Sequence, residues 1–291
     1  MKGIILAGGT GSRLHPVTIA VSKQLLPIYN KPMIYYPLSV LLLSGIKEIL
    51  IITNRENVEF FQLLFGNGKQ LGIKIEYAVQ EKANGIAEAF IIGEKFIGND
   101  SVCLILGDNI FYGDDLIKKL KNAIEIVEKE KKACIFCYNV KDPERYGVAT
   151  YNTTGEVTSI EEKPTNPQSN YAVTGLYFYP NNVIELSKSI TPSDRGELEI
   201  TSINQLYLKS KELKVQTLGR GFAWLDTGTY ESLLEASLFI QTIEKRQGLM
   251  IACIEEIVYD LKYINKEEFI KLIDRVSKNE YGQYLKNKLN S

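Results

Sequence analysis

Short apolar runs rich in β-branched residues recur through the first third of the chain, at 3–7, 48–53, 74–79 and 102–106. Between them lie segments with helical periodicity at 32–45, 57–65 and 86–96. A run such as Gly3-Ile4-Ile5-Leu6-Ala7, apolar at every position, belongs to a strand covered on both faces. Strands that alternate with helices predict an α/β fold with a mainly parallel sheet and right-handed crossovers, whose ligands sit beyond the carboxyl ends of the strands. Residues that directly follow a strand are therefore the first candidates for function. The segment 32–45 opens on Pro32 and closes on Gly45 as a helix does, with Pro37 placed to kink it.

The first strand breaks at Gly8-Gly9, with Gly11, Arg13 and Lys23 close behind. Glycines there permit positive φ and let backbone N–H groups reach phosphoryl oxygens, while Arg13 and Lys23 bring cations from two directions. A bare glycine cluster is equally consistent with a tight strand-to-helix turn. A Walker loop is excluded because Gly11 is followed by Ser12-Arg13, and the third glycine of a dinucleotide fingerprint would fall on Leu14.

Gln80 and Gly85 follow the third strand, where an amide that both donates and accepts suits a base edge; the alternative for a loop glutamine is solvent. The fourth strand stops at Gly107-Asp108-Asn109. Asp108 there is a candidate ligand for Mg²⁺ on a bound triphosphate, or else a helix cap, although Asp114 and Asp115 are better placed to cap the helix 116–130. A second strand-end aspartate, Asp226, follows the apolar run 222–225.

With 34 Lys+Arg against 35 Asp+Glu, the chain has no basic surplus to hold nucleic acid or an anionic membrane. Met1-Lys2 leads directly into the first strand, leaving no room for a signal peptide, and no apolar stretch approaches the ~20 residues of a membrane span. A cytoplasmic location is expected. Cys134 and Cys137 form a C-x-x-C on an apolar strand, where positions i and i+3 face opposite ways, so they read as buried thiols. His15 is the sole histidine, which makes a histidine-rich metal site or a Ser-His-Asp triad improbable and leaves the chemistry to carboxylates and cations.

Beyond residue 140 the pattern shortens to strands at 146–151, 157–162 and 174–179, read as an antiparallel insertion. It carries Glu161-Glu162-Lys163-Pro164, which alone is an exposed charged turn but which offers a carboxylate for sugar hydroxyls and a lysine for a phosphate. A helix at 200–211, a strand at 214–217, a helix at 229–246 and short amphipathic helices complete the chain.

The segments LAGGTGSRL, SKQLLPIYNKPMIYYPLS, EYAVQ, NGIAEAF, LGDNIFYG, DPERYGV, EEKP, SNYAVTGLYFY, RGELEIT and WLDTGTYESLLEAS, taken in order, resemble the sugar-1-phosphate nucleotidyltransferases, and among them the glucose-1-phosphate thymidylyltransferases. The resemblance covers nearly the whole chain. It implies one Rossmann-like nucleotidyltransferase domain, with a nucleotide-binding part at about 1–140, a sugar-binding part at about 141–228 and a helical segment at about 229–291. The implied reaction joins dTTP and glucose 1-phosphate into dTDP-glucose and pyrophosphate, with Mg²⁺, as the first step towards dTDP-rhamnose.

By the same resemblance, Gly8, Gly9, Gly11 and Gln24 approach the nucleotide, Arg13 and Lys23 bind the triphosphate, and Gln80 and Gly85 hold the thymine. Asp108 and Asp226 ligate Mg²⁺; Asn109, Gly147, Glu162, Lys163 and Val173 receive glucose 1-phosphate. Arg13, Lys23, Asp108, Lys163 and Asp226 form the implied catalytic set. A homotetramer is implied too, with Arg220 in a second, regulatory nucleotide site. Ser12, Asn84 and Tyr230 depart from the family's Thr, Asp and His without removing a charged catalytic group. A uridylyl- or guanylyltransferase, or a silent nucleotide-sugar-binding regulator, are the alternatives. No nucleophile sits beside a base, so direct in-line transfer, by positioning and charge neutralisation, is the expected chemistry.

Overall fold

A computed structural model describes residues 1–9 and 11–290. The chain opens with β1 (Lys2–Ala7), passes through 3₁₀ turns at Ser12–Leu14 and Lys23–Leu25, then forms a small hairpin of β2 (Pro27–Ile28) and β3 (Lys31–Pro32) before α1 (Tyr35–Leu43). Pro32 thus ends a hairpin strand instead of opening the helix. Pro37 is the third residue of α1, where an N–H would have had no intrahelical partner, so it costs the helix no hydrogen bond. Next come β4 (Glu48–Thr53), α2 (Val58–Phe65), β5 (Lys74–Val79), α3 (Glu88–Ile92), α4 (Glu94–Ile97) and β6 (Val102–Leu106). The single helix expected at 86–96 is divided at Gly93, where a Cβ would lie 2.9 Å from the Ala89 carbonyl oxygen and 3.0 Å from Ile4 of the sheet.

The second half begins with β7 (Asn109–Gly113), α5 (Leu116–Glu125), which runs on into a π-helical turn at Ile126–Glu130, and β8 (Ala133–Asn139). Asp115 occupies the N-cap position of α5 without accepting a capping hydrogen bond through its side chain, contrary to the capping expectation. There follow β9 (Gly147–Tyr151), β10 (Val157–Glu162), β11 (Tyr171–Tyr179), α6 (Val183–Ser189), α7 (Ile200–Lys209), β12 (Leu213–Leu218), β13 (Phe222–Asp226) and α8 (Tyr230–Gln247). The tail is α9 (Ile254–Asp260), α10 (Lys266–Val276) and α11 (Glu280–Asn290).

A nine-stranded sheet organises these elements. β1 lies between β4 and β6, parallel to both, and β5 extends the row beyond β4. β11 joins antiparallel to β6 on one side and to β8 on the other, and β12 runs parallel to β8. The strand expected in a separate antiparallel insertion is therefore part of the main sheet. Its first residues, Tyr171 and Ala172, pair with β9, and residues 176–179 pair with β6, so β9 and β6 share one edge of β11. Chain order reverses on either side of β1, which puts the switch point at the carboxyl ends of β1 and β6.

Both faces of the sheet are covered, as the apolar runs require. Ile5, Ile49, Ile51, Cys103 and Ile105 pack on one side with α1, α2, α5 and the tail helices; Ile4, Leu50, Ile52, Val102 and Leu104 pack on the other with α3, α6 and α7. Cys134 and Cys137 fall on opposite faces, both buried and free. Among the described residues no helix is long and apolar enough to cross a membrane.

Candidate active site

The loop after β1 is shaped by its glycines. Gly9 (φ 93°) donates from its N–H to Asn54 Oδ1 at 3.1 Å and accepts from Asn54 Nδ2 at 3.0 Å; Gly11 (φ 59°) starts the 3₁₀ turn that carries Arg13. Lys23, on the next 3₁₀ turn, places its Nζ 2.6 Å from Asp108 Oδ2 beyond the end of β6. Asp226 arrives from the other half of the chain because β13 pairs antiparallel with β7, setting Asp226 opposite Asn109. Gly11, Arg13, Lys23, Asp108 and Asp226 line one cleft.

The two aspartates differ in their affinity for a proton. Burial pushes the Asp108 carboxyl up, but the charge and hydrogen bond of Lys23 and the amide of Asn109 outweigh it and hold Asp108 below the usual carboxylate range. Asp226 is raised, first by burial and then by the charge of Asp108, against the pull of Lys23, Arg145 and Arg13. Two carboxylates that repel each other in a cleft open to solvent are a donor set suited to a hard divalent cation, which takes one or two carboxylates and completes its shell with phosphate and water. Among the described residues no group of three or more His, Cys, Asp or Glu side chains could hold a metal by themselves.

A cavity of about 270 Å³ adjoins this cleft and shares Arg13, Asp108 and Asp226 with it; Asn109, Gly147, Glu162, Lys163 and Val173 also line it. Glu162 Oε2 accepts from Thr201 Oγ1 at 2.5 Å, and its other oxygen lies 3.5 Å from Arg195 Nη2 and 3.8 Å from Lys163 Nζ. Lys163 holds φ 43°, a left-handed conformation sparsely populated by non-glycine residues, with its N–H donated to the Tyr146 carbonyl at 3.0 Å. At Gly147 a Cβ would lie 3.1 Å from Thr201 Oγ1 and 3.4 Å from Glu162 Oε2, within the space a ligand would use.

A third station stands on the β4 and β5 side. Gln80 is only 6% exposed, so it is not the solvated loop residue that was the alternative. Its Nε2 donates to the Gly85 carbonyl at 3.2 Å and to Glu88 Oε2 at 2.8 Å, and its Oε1 borders Gly8, where a Cβ would stand 2.8 Å away. An amide with both hydrogens committed does not donate to a base carbonyl as well, so Gln80 faces the loop as an acceptor alone. Gly85 (φ 108°) has no room for a Cβ, which would fall 2.4 Å from the Leu198 carbonyl oxygen.

Of the sequence candidates, Gln24 is 4% exposed, with Oε1 accepting from Ser22 Oγ at 2.8 Å and its stem beneath Gly107; it lines neither cavity. Arg220 lies exposed in the turn before β13, at the opposite end of that strand from Asp226. The sequence reading missed Arg145, with Nη2 3.8 Å from Asp226 Oδ2, as well as Arg195, Thr201, Glu88 and Trp224, whose Nε1 donates to Asn109 Oδ1 at 2.6 Å. All five lie in the quoted segments DPERYGV, RGELEIT, NGIAEAF and WLDTGTYESLLEAS, but spacing alone does not say which side chains turn inward.

The profile of the nucleotidyl transferase family matches residues 2–243. A glucose-1-phosphate thymidylyltransferase of Neisseria meningitidis is 56% identical over 285 residues, 98% of each chain, and one of Xanthomonas campestris is 53% identical over 98% of this chain and 95% of its own. A solved structure from Bacillus anthracis, described as a candidate glucose-1-phosphate thymidylyltransferase in complex with sucrose, superposes with a TM-score of 0.75 at 44% identity, over 82% of this chain and 94% of that one. A UDP-glucose pyrophosphorylase at 24% identity shares the fold, with a TM-score of 0.71 over 84% and 99% of the two chains. This chain belongs to the nucleotidyl transferase family and, within it, to the glucose-1-phosphate thymidylyltransferases.

Proposed function

We propose that the protein transfers the thymidylyl group of dTTP to glucose 1-phosphate, giving dTDP-glucose and pyrophosphate. The observation that carries the reading is the continuity of the two cavities: Arg13, Asp108 and Asp226 line both the cleft under the glycine loop and the cavity that holds Glu162, Lys163 and Gly147. A nucleotide cradled by the loop and a sugar phosphate beside Lys163 would meet where those three residues stand. Gln80 Oε1 is the acceptor for the N3–H of thymine, and Glu162, steadied by Thr201, takes sugar hydroxyls.

Asp108 and Asp226 would hold Mg²⁺, which when bound draws charge off the phosphates and fixes their orientation. Lys23 and Arg13 neutralise the triphosphate, and Lys163 and Arg195 steer the sugar phosphate, whose oxygen needs no general base to attack in line. The homotetramer, the regulatory site at Arg220, the cytoplasmic location and the place at the head of dTDP-rhamnose synthesis rest on the resemblance alone.

A matrix of dTTP, UTP, dCTP, GTP and ATP against glucose 1-phosphate and other sugar phosphates tests the reading. dTTP with glucose 1-phosphate should turn over fastest, UTP should follow within about two orders of magnitude because it presents the same edge, and ATP should be far worse. Equal use of GTP, or no turnover with any pair, would point to a guanylyltransferase or a silent regulator instead.

A further inference from the structure

Behind Gln80 stands a carboxylate to which the reaction assigns no part. Glu88, the first residue of α3, accepts from Gln80 Nε2 through Oε2 at 2.8 Å and from Asn84 Nδ2 through Oε1 at 2.8 Å. The Gly85 carbonyl takes the other Nε2 hydrogen of Gln80 at 3.2 Å. An amide has two hydrogens, and both are committed to groups that only accept. Turning the amide over would set Gln80 Oε1 against a carbonyl and a carboxylate, in a place where 6% exposure leaves little water to compensate. The side chain is held one way round, with Oε1 towards Gly8.

We infer that Glu88 is a specificity-determining positioning residue: by fixing which end of the Gln80 amide faces the nucleotide, it admits pyrimidines that carry N3–H on their pairing edge and excludes those that present a lone pair there. The inference rests on the thymidylyl reading. Thymine and uracil offer N3–H to Oε1, whereas N3 of cytosine would bring a lone pair against a lone pair. Asn84 belongs to the same device. The resemblance leads to an aspartate at this position; an aspartate would face Glu88 Oε1 with a second carboxylate, and the asparagine found here supplies a donor instead.

The test is the ratio of kcat/KM for dTTP to that for dCTP, with glucose 1-phosphate and Mg²⁺, in the wild type, Glu88→Met and Glu88→Gln. Methionine keeps the length and helix propensity of glutamate but cannot accept both bonds; Glu88→Ala replaces it should the methionine variant not fold. The ratio should fall at least about tenfold in Glu88→Met, through a raised KM for dTTP and a lowered one for dCTP, with kcat for dTTP within a few-fold. Glu88→Gln should keep the ratio within about threefold, because its carbonyl still accepts from Gln80 and its amide can donate to Asn84 once that side chain turns over. An unchanged ratio in Glu88→Met, or an equal loss in Glu88→Gln, overturns the inference. A wild type without preference for dTTP over dCTP would overturn the thymidylyl reading itself, so the two failures are distinguishable.

Discussion

Asp226 is an acid made weaker by its surroundings, since it shares a cleft with Asp108 and only Asp108 has a lysine in contact. A cation shared between them would remove that repulsion. Asp108→Asn and Asp226→Asn should therefore each lower kcat by on the order of 10²-fold or more and raise the Mg²⁺ concentration needed for half-maximal rate. Near-normal kcat with an unchanged Mg²⁺ curve would show that these carboxylates do not hold the cation. At this scale the sequence was informative where a residue's address alone carried meaning: Asp108 after a strand, Gly8 after a strand, Lys23 close behind the glycine loop. It was silent about Arg145 and Arg195, because a charged side chain in a loop declares itself only when the fold shows which carboxylate it faces.

At the scale of elements, the pairing of β7 with β13 is what delivers Asp226, and Asn109 fastens it. Its Oδ1 accepts from Trp224 Nε1 at 2.6 Å and from the Gly175 N–H at 3.0 Å, while its Nδ2 donates to Asp108 Oδ1 at 2.9 Å; the residue is 2% exposed. Asn109→Ala leaves two donors without a partner in the interior and should cost about 2–4 kcal/mol in urea unfolding, with kcat reduced as Asp108 loses its support. A loss below about 0.5 kcal/mol would mean that water replaces the amide there. None of this was legible beforehand. The run 109–113 lies directly after the glycine and aspartate that end β6, and which strand it pairs with is decided by the chain's return more than a hundred residues later.

At the scale of the molecule, the tail lies outside the residues matched by the family profile yet closes one face of the core: α9 packs against α1, α10 and α11 pack against α9, and Ile254, Val258, Phe269, Leu272, Ile273 and Leu285 are buried in that core. Glu255 on α9 receives the Tyr281 hydroxyl of α11 at 2.5 Å. Burial raises the Glu255 carboxyl above its ordinary 4.5, opposed by that hydrogen bond and by the charge of Lys31. A raised folded-state pKa means that the folded protein holds this proton more tightly. The associated stability is complete below about pH 4.5 and is lost as pH rises through the raised value. Glu255→Gln keeps an acceptor without a charge, so its Tm should exceed that of the wild type most at pH 8, and the gap should close as pH falls towards 5. A gap independent of pH would assign Glu255 no titration between folded and unfolded chains. The amphipathic periods of the tail were readable, but their destination was not, because periodicity marks the face a helix buries and not the neighbour it is buried against.

β11 turns the main sheet into a ruler. Val173 stands beside Gly147 of the sugar cavity, and Gly175, two residues on, is tied by its N–H to Asn109 beside the aspartates. The pairing of β11 with β8 shifts register between Val173 and Tyr177, so the two positions are joined by a short irregular stretch of one strand. The spacing between the place for a sugar phosphate and the place for a triphosphate is thus graduated in covalent bonds along one strand and does not depend on a hinge between two bodies. Changes in β9, β10 or their turn can alter which sugar is accepted without altering the reach between the reacting atoms. A single residue inserted between Val173 and Gly175 would change that reach and shift the pairing of the strand that follows.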